Sequence, residues 1–358
     1  MKIYKTFTRN KTALMWILSG LSLAMLMIFP AQCRAGAVNG VFLCIQVLIP
    51  SLFPFMVLSS YLVCSGLSSK LPDSFGKISE KIFGLPKECL AVILLSIIGG
   101  FPVGAKGINT LYKEKIINTK QAEQMAMFCV APGPGFLVTY AGCSMLGNKA
   151  AGYILLVSQI LSFTITAVVS KITTKKKTTN NTSEFKKVHF TPNTMVIAVT
   201  DAIKSCAIMC ALVVIFGAIC EIFITLTESL PQFAFITAII EITNGIKFLS
   251  AQNSLVLISA MCGFGGFCVH FQIFAILGNI KISKVKFYIF RVLTALLNTG
   301  FTYILLLAFP QAKTVFSTAK TSQPAFNKGI SGCIALIICC VVFLSSVKIT
   351  TLKQSPSR

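Results

Sequence analysis

Ala91-Val-Ile-Leu-Leu-Ser-Ile-Ile-Gly-Gly-Phe-Pro-Val-Gly-Ala105 is an apolar run interrupted by Gly99, Gly100, Pro102 and Gly104. Glycine and proline break a helix there, and the freed backbone groups are tolerated at membrane depth only inside protein or beside water. A second run, Leu255 to Leu277, is interrupted by Gly263, Gly265 and Gly266. Shifting the chain by 166 positions lays Gly99-Gly100-Phe101-Pro102-Val103 on Gly265-Gly266-Phe267-Cys268-Val269. Leu111, Lys115, Ile116 and Lys120 then fall on Leu277, Lys281, Ile282 and Lys286. Of the twelve identities over residues 44–120, eight lie between 99 and 120, and that clustering is the argument for a repeat. Paired, interrupted apolar segments in two halves point to a site between the inverted repeats of a transporter-like core.

Composition fixes the class. Of 358 residues 55% are hydrophobic and 12% charged, with mean hydropathy +0.81; a soluble domain carries about 25% charged residues. Apolar stretches of about 20 residues recur, enough to cross a ~30 Å hydrocarbon core as helices. The ~10-residue alternating segments of a membrane barrel are absent. The reading is an all-α polytopic integral membrane protein. In a soluble chain the net charge of +22 would point to nucleic acid. Here the lysines flank apolar spans, as the positive-inside rule requires, so the partners are the bilayer and its anionic lipids, with no nucleic acid. The fourteen cysteines contain no Cys-x-x-Cys, and the only histidines are His189 and His270. Neither metal nor cofactor is expected.

Residues 1–36 read as a basic segment, with Lys2, Lys5, Arg9 and Lys11, and a first span over Ala13–Phe29, kept rather than cleaved, with its N-terminus inside. Residues 37–170 form a first repeat. It begins with a second span over 37–67 containing Ile49-Pro-Ser-Leu-Phe-Pro-Phe55, where Pro50 and Pro54 should kink or break the helix, and continues with an interfacial amphipathic stretch over 68–88. Basic residues on both sides of 89–111 suggest a re-entrant hairpin. A further break is expected at Ala131-Pro-Gly-Pro-Gly-Phe136 within 121–147, and 150–170 reads as a plain span. Residues 171–194 are a basic cytoplasmic linker and 195–310 a second repeat, with spans at 195–228, 233–250 and 287–309 around the broken run. Residues 311–358 hold a loop, a last span and a basic tail. If 233–250 crosses, the Lys281–Lys286 cluster lies inside; strictly inverted halves would put it outside.

Ionisable groups within spans are costly and default to functional hypotheses. Glu221 and Glu241 are candidates for coupling to H⁺ or Na⁺, and Glu241, Asn244, His270, Gln272 and Lys106 for ligand contact. Pro102, Pro132 and Pro134 beside Gly99, Gly100, Gly104, Gly133, Gly263, Gly265 and Gly266 should unwind helices and expose half-helix N-termini that hold a polar ligand. No His-Glu-x-x-His, Gly-x-Ser-x-Gly or P-loop occurs, so no catalytic residues and no enzyme are expected.

Ile49-Pro-Ser-Leu-Phe-Pro-Phe55, Gly100-Phe-Pro-Val-Gly-Ala-Lys106, Gly133-Pro-Gly-Phe136, Glu241-Ile-Thr-Asn-Gly245 and Gly263-Phe-Gly-Gly-Phe-Cys-Val-His-Phe-Gln272 occur in that order. Together they resemble the YlbJ-like sporulation integral membrane proteins, which carry the nucleoside-recognition or Gate domain. The resemblance covers roughly residues 13–310. It implies two Gate-type repeats, each with a hairpin and a broken helix, in a bacterial inner-membrane protein that transports or recognises a small polar, nucleoside-like solute. Its alternative is a structural protein of sporulation that assembles with itself or with other membrane proteins. It further implies that Glu241, Thr243, Asn244 and Gly245 face the ligand, and that His270 and Gln272 face the pore. Before Gly133 the relatives tend to carry polar residues where this chain has Val130-Ala-Pro132, a departure that argues against side-chain ligand contacts there.

Overall fold

A computed structural model describes residues 23–174, 192–227 and 234–309, apart from some positions between 71 and 78 and residue 253, together with Trp16 and Gly20. The basic N-terminus, most of the expected first span, the centre of the Lys171–Lys187 linker and the expected last span lie outside the described residues.

Among the described residues the chain is helical and contains no strand. We number the α-helices α1 Pro30–Leu43, α2 Ile49–Cys64, α3 Glu88–Gly99, α4 Phe101–Lys113, α5 Thr119–Phe128, α6 Lys149–Thr173, α7 Pro192–Leu226, α8 Ala234–Ile240, α9 Ile242–Ala251, α10 Leu255–Phe264, α11 Gly266–Leu277 and α12 Lys284–Ala308. A π-helical segment, Gly135–Met145, follows α5. Among the described residues five stretches are long and apolar enough to cross a membrane: Pro30–Leu48, Lys149–Thr173, Asn193–Leu226, Leu255–Leu277 and Lys284–Ala308. This is an integral, multi-pass membrane protein.

Local chemistry sets the helix starts. Asn118 and Gln121 form a reciprocal capping box at α5, Asn148 takes the N–H groups of Ala150 and Ala151, and Ser254 and Ser283 cap α10 and α12. At Pro50, where a kink or break is expected, the chain stays helical but changes its winding. A proline ring collides with the carbonyl four residues earlier, and a π-turn over Cys44–Leu48 opens the helix at that point. Pro54 sits inside α2.

Contacts give the direction of each helix. A Cβ on Gly104 would lie 2.9 Å from the Ser96 Cβ, and one on Gly107 3.0 Å from a Val92 methyl, so α3 and α4 fold antiparallel about Gly100. Gly265, the N-cap of α11, meets the Phe101 ring and the Ile276 carbonyl near the end of α11 accepts from Asn109, so α11 runs parallel to α4. Ser283 N–H donates to Glu123 at 2.8 Å and Arg291 reaches Met127 and Val130, so α12 runs parallel to α5. Lys286 lies 3.4 Å from Glu123; the Lys281–Lys286 cluster therefore sits at the same, lysine-rich end as Lys113–Lys120.

Two expectations change. Residues 233–250 are not one crossing helix: they break at Glu241 into α8 and α9, which pack on each other. Helices of 7 and 10 residues are about 10 and 15 Å long, too short to span. Since Gly266 abuts the backbone of Ile239, Ile240 and Ile242, α8 and α9 form a second hairpin. Its open end lies opposite the lysines, beside the start of α10, and its tip meets the break between α10 and α11. Secondly, the 166-residue shift joins unlike elements. Gly100 closes a hairpin, whereas Gly265 separates α10 and α11, which run on end to end as one broken span.

Polar residues join three helices. Thr302 on α12 donates to Ser158 on α6 at 2.9 Å or to Ser259 on α10 at 2.6 Å. Asn298 pairs with Gln159 at 2.7 Å. All are buried. Thr302→Val keeps the shape and removes the hydroxyl, and is expected to cost about 1–2 kcal/mol in chemical denaturation in mild detergent.

Candidate functional site at the helix breaks

Four interruptions lie between two half-helices each: at Gly100, at Cys129–Pro134, at Glu241 and at Gly265. They meet pairwise, backbone to backbone. Gly100 has φ +84° and ψ −166°, and a Cβ there would stand 2.9 Å from the Gly133 nitrogen. One on Gly133 would stand 2.7 Å from the Ile98 carbonyl oxygen. The tip of the first hairpin thus rests on the break after α5. In the other half Gly266, at φ +73°, would meet the Ile242 nitrogen at 3.2 Å. The tip of the second hairpin rests on the break in α10–α11. The Phe101 ring against Gly265 joins the two pairs. Only glycine admits both the left-handed backbone and the close approach.

Each break leaves amide or carbonyl groups without helical partners, which apolar surroundings make expensive. Buried side chains take them up. Both carboxylate oxygens of Glu241 accept backbone N–H bonds, from Thr243 at 2.9 Å and Asn244 at 2.8 Å. Glu241 is the N-cap of α9, and the helix dipole there favours its charge. The Arg291 guanidinium donates to the carbonyls of Val130 and Met127 and closes the break after α5. His270 lies 2.7 Å, through Nε2, from the Phe264 carbonyl oxygen; with Nε2 as the protonated nitrogen it ties off α10. Tyr140 OH donates to the Thr243 carbonyl at 3.0 Å, linking the π-helical segment to the second hairpin.

The residues singled out from sequence separate into three places. Glu241, Thr243, Asn244, Gly245 and His270 gather at the breaks, with Gly245 bonded to the Glu241 carbonyl in the first turn of α9. His270 is packed edge-on among Phe264, Phe267, Phe287 and Tyr288. Gln272, buried one turn on from Cys268, donates to its sulfur at 3.2 Å. Lys106 lies elsewhere, paired with Asp201. Glu221 is half-buried at the crossing of α1 and α7, where its Cβ faces Gly36; it closes none of the breaks. Pro102 sits in the first turn of α4, where its missing N–H costs nothing. Pro132 and Pro134 flank Gly133 in the gap before the π-helical segment. Gly104 is pressed against the Cys129 carbonyl, and Gly263 against Ala295 and Thr294 of α12, so Gly263 packs rather than breaks.

Sequence reasoning missed Arg291 and the partner of Lys106. A signal for Arg291 existed: it stands within the apolar run Phe287–Leu297, and an ionisable group inside a span asks for a buried partner. Asp201 gave none, because its distance from Lys106 along the chain is 95 residues.

Comparison with known proteins gives one relative to set beside this geometry. Over 302 residues the chain is 22% identical to the sporulation integral membrane protein YlbJ of Bacillus subtilis (strain 168), covering 73% of this chain and 74% of that one. The chain is a distant homologue of that membrane protein. No family model and no solved structure matches it.

Proposed function

We propose that the protein recognises or passes a small polar solute, nucleoside-like in presenting both hydrogen-bond donors and acceptors, across the membrane of a spore-forming bacterium. One observation carries this reading: all four helix breaks pack together, near the middle of the apolar stretch Leu255–Leu277. Broken helices place amides and carbonyls where a lipid-facing helix has none, and half-helices can shift as units.

The order of elements supports two inverted Gate-type repeats. Each half runs hairpin, broken crossing helix, 25-residue helix: α3–α4, α5 with the π-helical segment, and α6, against α8–α9, α10–α11 and α12. Thr302 opposite Ser158, and Asn298 opposite Gln159, are consistent with antiparallel α6 and α12, as inversion requires. The hairpins would then be re-entrant from opposite faces. The positive-inside rule puts the lysine-rich end in the cytoplasm, and with it the N-terminus if the run before α1 crosses once. In this scheme Glu241, Thr243, Asn244 and Gln272 bond the solute, and a change of partner at Glu241 couples solute to H⁺ or Na⁺, with Glu221 a second candidate.

The test is thermal shift of the detergent-purified protein against nucleosides, nucleobases, amino acids and divalent cations. A ligand at about 100-fold its dissociation constant stabilises by about 2.7 kcal/mol. Glu241→Gln keeps one acceptor oxygen but turns an NH2 toward the second backbone N–H, so it is expected to cost about 1–3 kcal/mol of stability and, measured against its own melting temperature, to lose the ligand response. A panel without any hit would sink the solute reading. A second reading has its own support: Glu241, Arg291 and His270 already satisfy the break groups internally, as a structural protein of the sporulating membrane would need. It expects normal sporulation in Glu241→Gln and failure when lipid-facing helix surfaces or the Lys171–Lys187 segment are altered.

A further inference from the structure

Away from the breaks, a cavity of about 840 Å³ opens at the lysine-rich end, within the size range of small-molecule sites. Its walls come from α4, α7, the end of α11 and the turn after it. Lys106, Lys113, Lys115 and Lys204 line it against a single carboxylate, Asp201, with the Ser205 hydroxyl beside them. We propose that this cavity is a binding site for a small anion bearing a phosphate or carboxylate group.

Three observations carry the assignment. Lys106 is 1% exposed and forms part of the cavity lining; an ammonium held so deep needs an anion close by. Asp201 already shows how one is held there: one oxygen pairs with Lys106, and the other lies 3.6 Å from Lys113. Even with that carboxylate counted, four lysines to one aspartate leave the lining with a surplus of positive charge. Helix dipoles do not explain the surplus. Lys113 suits the last turn of α4, but Lys106 is in mid-helix and Lys204 is the thirteenth residue of the 35-residue α7, both beyond the terminal turns where a helix dipole acts. Lys106 follows Gly100 by six residues, about 9 Å along the helix, which separates the cavity from the breaks. The site stands whether or not its occupant continues to them, and it has its own test.

The anion has two sources, a soluble metabolite or a lipid headgroup, and the experiment separates them. Full-length protein in phosphatidylcholine nanodiscs is titrated with inorganic phosphate, with sodium chloride at matched ionic strength as control, and melting temperature is followed. Phosphate is expected to raise it saturably beyond chloride. In the Lys113→Gln/Lys204→Gln double variant, whose changes are at exposed side chains, the midpoint is expected to move at least tenfold higher. Asp201→Asn removes the internal competitor and is expected to move it lower. If phosphate does nothing in phosphatidylcholine but phosphatidylglycerol discs stabilise the wild type and not the double variant, the occupant is a headgroup. No response in either arm, or equal responses in wild type and double variant, overturns the site.

Discussion

Arg291→Met is expected to destabilise the protein by about 2–6 kcal/mol, read by chemical denaturation in mild detergent. The guanidinium is 1% exposed and donates to the carbonyls of Val130 and Met127. Methionine fills similar volume but leaves two buried acceptors without partners, each costing about 1–3 kcal/mol. Arg291 also lies 5.5 Å from the Phe287 ring centroid, a contact that Lys could keep in part. Arg291→Lys offers a point charge in place of a planar fork and is expected to fall between the wild type and Met. If Met proved as stable as the wild type, the break after α5 would have to be closed by something other than Arg291.

The second large effect is expected at the contact of hairpin tip and broken helix. Gly100→Ala puts a side chain at φ +84° and ψ −166°, a conformation that costs about 1–3 kcal/mol for a residue other than glycine. It also drives a Cβ to within 2.9 Å of the Gly133 nitrogen. Neither the hairpin nor the break can yield without losing the hydrogen bonds that close it. The total is expected to exceed about 3 kcal/mol, in the range reserved for backbone strain and overpacking. Gly135→Ala is the control. It lies two residues from Gly133, yet a Cβ there meets nothing within 4 Å, and its change is expected to stay within about 0.5 kcal/mol. Equal losses at both positions would mean that glycine in this segment matters for the chain's own flexibility and not for the contact.

Much of the architecture was legible because membrane helices announce themselves by length, and breaks by Gly and Pro. The interruptions at Gly100, Pro132–Pro134 and Gly265 were all readable in this way. The break at Glu241 was not. It is made without glycine or proline, by a carboxylate that caps the helix following it, and in sequence that glutamate reads as a charge inside a span. The 166-residue shift joined unlike elements for a related reason. Gly-Gly-Phe recurs at 99–101 and 265–267 because any tight backbone contact favours glycine, whether the chain there turns back or carries on. The candidate ligand residues were chosen as costly polar groups, and polar groups also close breaks, so Glu241 and His270 fit both roles by the same chemistry.

By itself the sequence determined that the chain is helical and integral to a membrane, where glycine and proline interrupt its helices, and which ends of them carry the lysines. Those follow from the cost of bare backbone and bare charge in hydrocarbon, which each residue meets locally. Only the tertiary structure decided that Gly100 and Gly133 touch, that Arg291 answers the carbonyls of a helix 161 residues earlier, and that Lys106 meets Asp201. Such pairings depend on which helix lies beside which and in what direction. No local preference encodes that; it is set when the whole set of breaks must find partners at once.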